Sequence, residues 1–67
     1  LCEGGGDVTV SVTVDRAGKV TVARVTEGGD DCMRESALRA ARNSLFNIDN
    51  SAPARQTGTI TYIFIPQ

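Results

Sequence analysis

Histidine and tryptophan are absent from this 67-residue chain, and its aromatic residues amount to one tyrosine and two phenylalanines. Histidine is the side chain most often used as a general base and the commonest nitrogen ligand of metals, so its absence removes most hydrolytic and zinc chemistry. The serines therefore have no imidazole to activate them as nucleophiles. We expect a binding protein rather than an enzyme, with no cofactor and no metal ion.

Neither an excess of charge nor a long apolar run is present. Seven Lys and Arg residues face eight Asp and Glu residues, and the net charge of −1 offers no basic field for nucleic acid or anionic lipid. The longest apolar run, Tyr62–Ile65, is far shorter than the roughly 20 residues of a membrane helix. Because the chain begins with Leu1 rather than Met, we expect one domain over residues 1–67 of a longer protein. We expect residues 1–6 to be a lead-in to this domain and any membrane anchor to lie upstream of it.

The hydrophobic residues are few and small. They make up 40% of the chain, and alanine and valine, at seven residues each, dominate them. A domain of this length buries only about 60% of its unfolded surface, which leaves little net stability. A covalent link or a bound partner would therefore help to stabilise it.

The first half of the chain has the pattern of two β-strands. Between residues 8 and 14 every second residue is valine, with Thr or Ser in between, which is the period of a half-buried strand. The segment Asp15–Gly18 follows, and its glycine supplies the positive φ of a tight turn. A second apolar run, Lys19–Thr26, loses its alternation between Val22 and Ala23, which indicates a β-bulge or strand ends that face differently. The two runs predict a β-hairpin.

A helical period follows a pair of aspartates. Asp30 or Asp31 can cap the helix N-terminus, where a carboxylate accepts hydrogen bonds from the unpaired N–H groups. The period of a helix then runs from Cys32 to about Leu45. The predicted buried face consists of apolar residues at three- and four-residue spacings, namely Met33, Ala37, Leu38, Ala41 and Leu45.

The last third of the chain predicts a linker and a third strand. Residues 46–56 favour a linker because Asn50 and Pro53 disfavour regular structure. Thr57–Ile65 is rich in β-branched and aromatic residues, as strands are. Its residues divide between two faces, with Ile60, Tyr62 and Phe64 on one and Thr59, Thr61, Ile63 and Ile65 on the other.

The element order ββαβ predicts an α+β fold of two layers. A small sheet with one helix packed on one face favours three antiparallel strands in the order 2-1-3. Strand three then lies at an edge, and it has no lysine, internal proline or inward charge to protect that edge. An unprotected edge strand is a place where another strand can bind.

The two cysteines, Cys2 and Cys32, are too far apart in sequence for a CxxC redox motif. Both lie near the same end of the sheet if strand two runs back to where strand one begins, so we favour a disulfide between them. In the chain-entropy model such a link contributes about 3.5 to 4 kcal/mol, and it indicates an oxidising compartment. The alternative is two independent buried thiols, since a catalytic thiol would lack a base.

The edge strand is the remaining candidate site, and it consists of Gly58, Thr59, Ile60, Thr61, Tyr62, Ile63, Phe64 and Ile65. An extended peptide can add to such an edge through main-chain hydrogen bonds. Two alternatives stay open: the edge pairs with its own copy in a homodimer, or residues outside this chain cover it.

Three segments in this order resemble the C-terminal domain of the energy transducer TonB. Residues 7–21 are similar to the opening hairpin of that family, in which alternating valines precede an acidic-x-x-Gly turn and a Gly-x-Val strand. Residues 35–46 resemble the family helix, with its Ala-Leu-x-Ala core and trailing aromatic residue, and residues 58–64 resemble the last strand. The resemblance spans Gly6 to Ile65, and the cysteine pair is most similar to versions from Bacteroidetes-type bacteria.

The resemblance implies a partner, a function and a location. The last strand would hold the short "TonB box" of an outer-membrane transporter and relay energy for active uptake. The domain would lie in the oxidising periplasm, with its parent protein anchored in the inner membrane. The alternative is a periplasmic interaction or self-association module of the same fold, such as a TolA-like domain or a sensor tail, with no energy-transducing role.

Overall fold

A computed structural model describes residues 2–46 and 55–67 of the chain. The elements follow in the order β1 (Gly6–Val14), β2 (Val20–Glu27), α1 (Asp31–Arg42) and β3 (Gln56–Phe64). The three strands form one antiparallel sheet in the order β2-β1-β3, and α1 packs on one face of it. The predicted α+β fold and strand order are confirmed. Most of the predicted linker, residues 46–56, lies outside the described residues.

The valines of β1 are the centre of the hydrophobic core. Val8 and Val10 are fully buried, and the next two valines of the strand are almost so. They face α1, whose Met33, Ala37 and Ala41 are buried against the sheet. The small alanine side chains let the helix approach the sheet closely, so a core of small residues still excludes water.

The turn between β1 and β2 is fixed by Asp15 and Gly18. The Asp15 Oδ1 atom accepts hydrogen bonds from the N–H groups of Ala17 (2.9 Å) and Lys19 (3.0 Å). Gly18 has a φ of +82°, and a Cβ atom there would collide with the backbone of Phe46. The Phe46 N–H donates to the Gly18 carbonyl oxygen at 2.9 Å, which brings the chain after α1 back to the hairpin.

β2 contains two register shifts against β1. They change which of its side chains face the core from the pattern predicted by the sequence. Thr21 and Thr26 are the extra residues at these shifts, because neither has a partner in the register with β1. Val20 and Ala23 consequently both face the core, whereas Val22 is turned outward and is 43% exposed. The change of phase therefore falls at Thr21, earlier than the predicted break between Val22 and Ala23.

The helix begins one residue before the predicted Cys32 and ends earlier than predicted. Asp30 is the N-cap, and its Oδ1 atom accepts a hydrogen bond from the Met33 N–H at 2.8 Å. The helix ends at Arg42, where Asn43 caps it and the chain turns toward the hairpin. Leu45 lies beyond the helix and is 73% exposed, so its predicted place on the buried face is wrong. Within the described residues, no helix has the length and apolar character needed to cross a membrane.

β3 is displaced by one residue from its predicted span, since it covers Gln56–Phe64 rather than Thr57–Ile65. Its two faces are as predicted. The side chains of Ile60, Tyr62 and Phe64 are half-buried on the helix side, and those of Thr59, Thr61 and Ile63 are exposed on the other side. Ile65 follows the end of the strand and is 74% exposed.

The outward position of Val22 gives a test of this register. Val10→Ala removes two fully buried carbon atoms, and we expect it to lower the free energy of unfolding by about 2 kcal/mol. The matched change Val22→Ala is expected to cost less than about 1 kcal/mol because Val22 is 43% exposed and lies outside the core. Urea unfolding followed by circular dichroism measures both. Equal losses would mean that β2 alternates without a bulge and that Val22 belongs to the core.

Candidate functional site: the open edge of β3

A three-stranded sheet has two edges, and here the edge of β2 is poorly suited to pairing with another chain. Two register shifts interrupt β2, at Thr21 and Thr26. The strand also carries the charged side chains of Arg24 and Glu27. Bulges and charges are common ways in which proteins protect an edge strand. The β2 edge is therefore blunted.

The β3 edge has none of these features. β3 pairs with β1 in one unbroken register from Gly6–Phe64 to Val14–Gln56, and no residue of β3 is charged. Among the described residues, no further strand is paired to its outer side. At about 3.4 Å per residue the nine residues give an edge about 27 Å long.

The direction of the backbone groups in β1 follows from two side-chain contacts. The hydroxyl group of Thr26 donates to the carbonyl oxygen of Thr9 at 3.3 Å, and that of Thr21 donates to the carbonyl oxygen of Thr13 at 3.2 Å. Both carbonyl groups therefore point to β2. Because backbone groups of successive residues point to opposite sides of a strand, the even-numbered residues of β1 point to β3.

The register then assigns the backbone groups of β3. Even-numbered residues of β3 lie opposite even-numbered residues of β1, as Ile60 does opposite Val10, and their N–H and C=O groups bond to β1. The odd-numbered residues point their N–H and C=O groups to the open edge. These residues are Thr57, Thr59, Thr61 and Ile63.

Apolar side chains line the open edge on both faces of the sheet. On the helix side, Ile60, Tyr62 and Phe64 are only half-buried because α1 packs chiefly over β1 and β2. On the other side, Ile63 and Ile65 are 76% and 74% exposed. A strand added at this edge would cover apolar surface above and below the new hydrogen bonds.

The end of β3 is attached to the segment that precedes β1. The Gln67 N–H donates to the Glu3 carbonyl oxygen at 3.1 Å. Pro66 lies so close to Gly5 that any side chain at position 5 would collide with the proline ring. These contacts hold the residues after Phe64 against the sheet, so the edge does not end in a loose tail.

The cysteines anchor the same segment to the helix. Cys2 and Cys32 are joined by a disulfide with a Cα–Cα distance of 5.7 Å, and neither described cysteine is free. Cys2 is buried beside the helix, with its Sγ atom 3.5 Å from the Ser36 hydroxyl oxygen. The link ties the chain just before β1 to the first turn of α1.

The eight residues predicted for the edge site lie together along one side of the sheet. Gly58 to Phe64 lie in β3, and Ile65 follows directly after it. Thr57, which the prediction did not include, also points its backbone groups to the open edge. No group of three or more acidic, cysteine or histidine side chains able to hold a metal ion occurs in the described part of the chain. What the edge offers is a row of backbone donors and acceptors.

A model of a known protein family matches nearly the whole chain. The sequence model of the family described as "Gram-negative bacterial TonB protein C-terminal" matches residues 3–66, which is nearly the whole chain. No curated protein and no solved structure matches this chain significantly.

The disulfide gives a testable contribution to stability. Replacing both cysteines (Cys2→Ser with Cys32→Ser) is expected to lower the free energy of unfolding by about 3 to 4 kcal/mol, because the cross-link closes a long loop in the unfolded chain. Urea unfolding of the variant and of the protein before and after reduction measures this loss. Reduction should lower the urea midpoint of the natural protein but leave the midpoint of the double variant unchanged. Two titratable thiols in natively purified protein would contradict the link.

Proposed function

Because this chain belongs to the family of Gram-negative bacterial TonB C-terminal domains, we propose that its open β3 edge binds the TonB box of outer-membrane transporters. Domains of this family are periplasmic and non-enzymatic. In the proposed function, the TonB box adds to the sheet as a fourth strand beside β3. The parent protein is anchored in the inner membrane and relays energy through this contact for active uptake.

The observation that carries the proposal is the unbroken edge of β3. Four residues, Thr57, Thr59, Thr61 and Ile63, direct their backbone groups outward at regular two-residue intervals. An extended peptide can satisfy all of them with its own main chain. Since main-chain pairing makes few demands on side chains, one domain can serve transporters whose TonB boxes differ in sequence.

Strand addition also suits the transmission of a pull. A force along the strand axis loads the hydrogen bonds of several residues together rather than one after another. The load passes from β3 into β1, which is paired on both sides and contains the fully buried residues Val8 and Val10. The contact would therefore connect the partner to the best-supported strand of the domain.

A titration tests where the peptide binds. When a synthetic TonB-box peptide is added to ¹⁵N-labelled domain, the amides of Thr59 and Thr61 should shift and become protected from hydrogen exchange. The amide of Ile60 should change less because β1 already protects it. A peptide with proline at every second position is the control. If the signals of the edge amides do not shift with the peptide but do shift when the domain is diluted, the edge pairs with a second copy of the domain instead.

A substitution at the edge tests the same proposal from the side of the domain. Thr59→Pro removes an N–H group that points outward, and the preceding Gly58 has no Cβ to clash with the proline ring. We expect the variant to fold and to lose at least about tenfold in affinity for the peptide, since several main-chain bonds are disrupted.

Two matched variants complete this experiment. Thr59→Val keeps the N–H group and the side-chain shape, and it should bind as the natural domain does. Ala23→Pro removes an N–H group from the opposite edge, since Ala23 pairs with the even-numbered Val12 and so points away from β1. It should also leave binding unchanged. Unchanged binding by a folded Thr59→Pro variant would place the peptide elsewhere.

A further inference from the structure

The β3 edge connects two ends of the molecule that carry opposite charge. The antiparallel order places the start of β1, the end of β2, the start of α1 and the end of β3 at one end. The hairpin turn, the end of α1 and the start of β3 lie at the other end. Carboxylates are concentrated at the end where β3 finishes, and cations are concentrated at the end where β3 starts.

The basic end is defined by five exposed cations: Arg16, Lys19, Arg39, Arg42 and Arg55. Two carboxylates of the described residues lie near them. Asp15 uses Oδ1 to accept hydrogen bonds from two backbone N–H groups of the turn. Glu35 contacts Arg39 at 3.2 Å. Asp49 lies outside the described residues. The described part of this end therefore carries an excess of positive charge, and Arg55 directly precedes β3.

The acidic end is defined by five exposed carboxylates: Glu3, Asp7, Glu27, Asp30 and Asp31. Arg34 is the one cation near them in the described chain, and its Nε atom donates to the Gly28 carbonyl oxygen at 3.0 Å. Asp7 pairs with Ile63, so this negative charge lies beside the last residues of the β3 edge.

We propose that the two end charges set the direction of the strand that β3 accepts. Carboxylates of the partner lie at the basic end, beside Arg55, and its cations lie at the acidic end, beyond Ile63. This inference rests on the proposed edge binding and names the chemistry of its partner. The partner is an extended peptide segment with an uncharged core and unlike charges at its two ends.

Main-chain pairing alone leaves the direction open. Parallel pairing is only slightly less stable per residue than antiparallel pairing, so a modest electrostatic preference can decide between them. The two ends of β3 are about 27 Å apart, whereas charges are screened over about 8 Å at physiological salt. Each end of the domain therefore interacts only with the end of the peptide that lies beside it. If the peptide binds in the reversed direction, like charges meet at both ends.

Two synthetic peptides with the same uncharged strand core test this inference. The first peptide has two aspartates at its N-terminus and two lysines at its C-terminus. The second has two lysines at its N-terminus and two aspartates at its C-terminus. Each peptide has a nitroxide label beside its aspartates. At low salt we expect the label of both peptides to broaden the amide of Thr57 and not that of Ile63. In 0.5 M NaCl the preference should largely disappear.

The outcomes separate this inference from the proposed function. If the label follows the N-terminus of the peptide rather than its aspartates, or broadens Thr57 and Ile63 equally at low salt, the edge binds but charge does not set the direction. If these peptides and an uncharged peptide with the same core all fail to protect Thr59, the edge site itself is overturned, and this inference with it.

A charge variant with a matched control gives an independent readout. Arg55→Gln should weaken binding of the acid-tagged peptides about two- to fivefold at low salt, as expected for one exposed ion pair. Arg24→Gln removes an equal charge from the middle of β2, away from the β3 edge, and should leave affinity unchanged. Equal losses in both variants would reduce the effect to net charge and overturn the directional role.

Discussion

The pairing of β1 with a strand on each side is the interaction on which the rest of the structure depends. One face of β1 presents valines that are buried against Met33, Ala37 and Ala41 of the helix. The other face carries Thr and Ser side chains that are half-buried. The backbone groups of a central strand bond to the strands on both sides. Burying β1 therefore leaves few backbone groups unpaired, and a core of small side chains is enough to stabilise it. The helix and both outer strands take their positions from it.

A sheet of three strands cannot avoid having two edges, and this domain treats them differently. Bulges at Thr21 and Thr26 blunt one edge, while β3 stays regular, uncharged and partly uncovered by the helix. The disulfide and the Glu3–Gln67 hydrogen bond hold the far end of that regular edge. The few stabilising interactions of this small domain thus help to hold the regular edge of β3 in place.

The parts of the structure that could be predicted are those fixed by local chemistry. Alternating valines, a turn glycine and a helix cap at Asp30 or Asp31 predicted β1, the hairpin and the helix start to within one residue. The outward turn of Val22 and the early end of the helix before Leu45 were missed, because they depend on contacts across the hairpin. The outward backbone groups of Thr57 could not be predicted either, since their direction depends on the register between β1 and β3 rather than on side-chain pattern.

Hydrogen exchange of single amides in the free domain tests the central claim most directly, because the proposed site consists of backbone groups that nothing else in the described structure occupies. The account predicts alternating protection along β3: slow exchange at Ile60 and Tyr62, which bond to β1, and fast exchange at Thr59 and Thr61. Uniform protection of all four amides at every protein concentration would contradict it, because the edge would then already be covered by the chain itself.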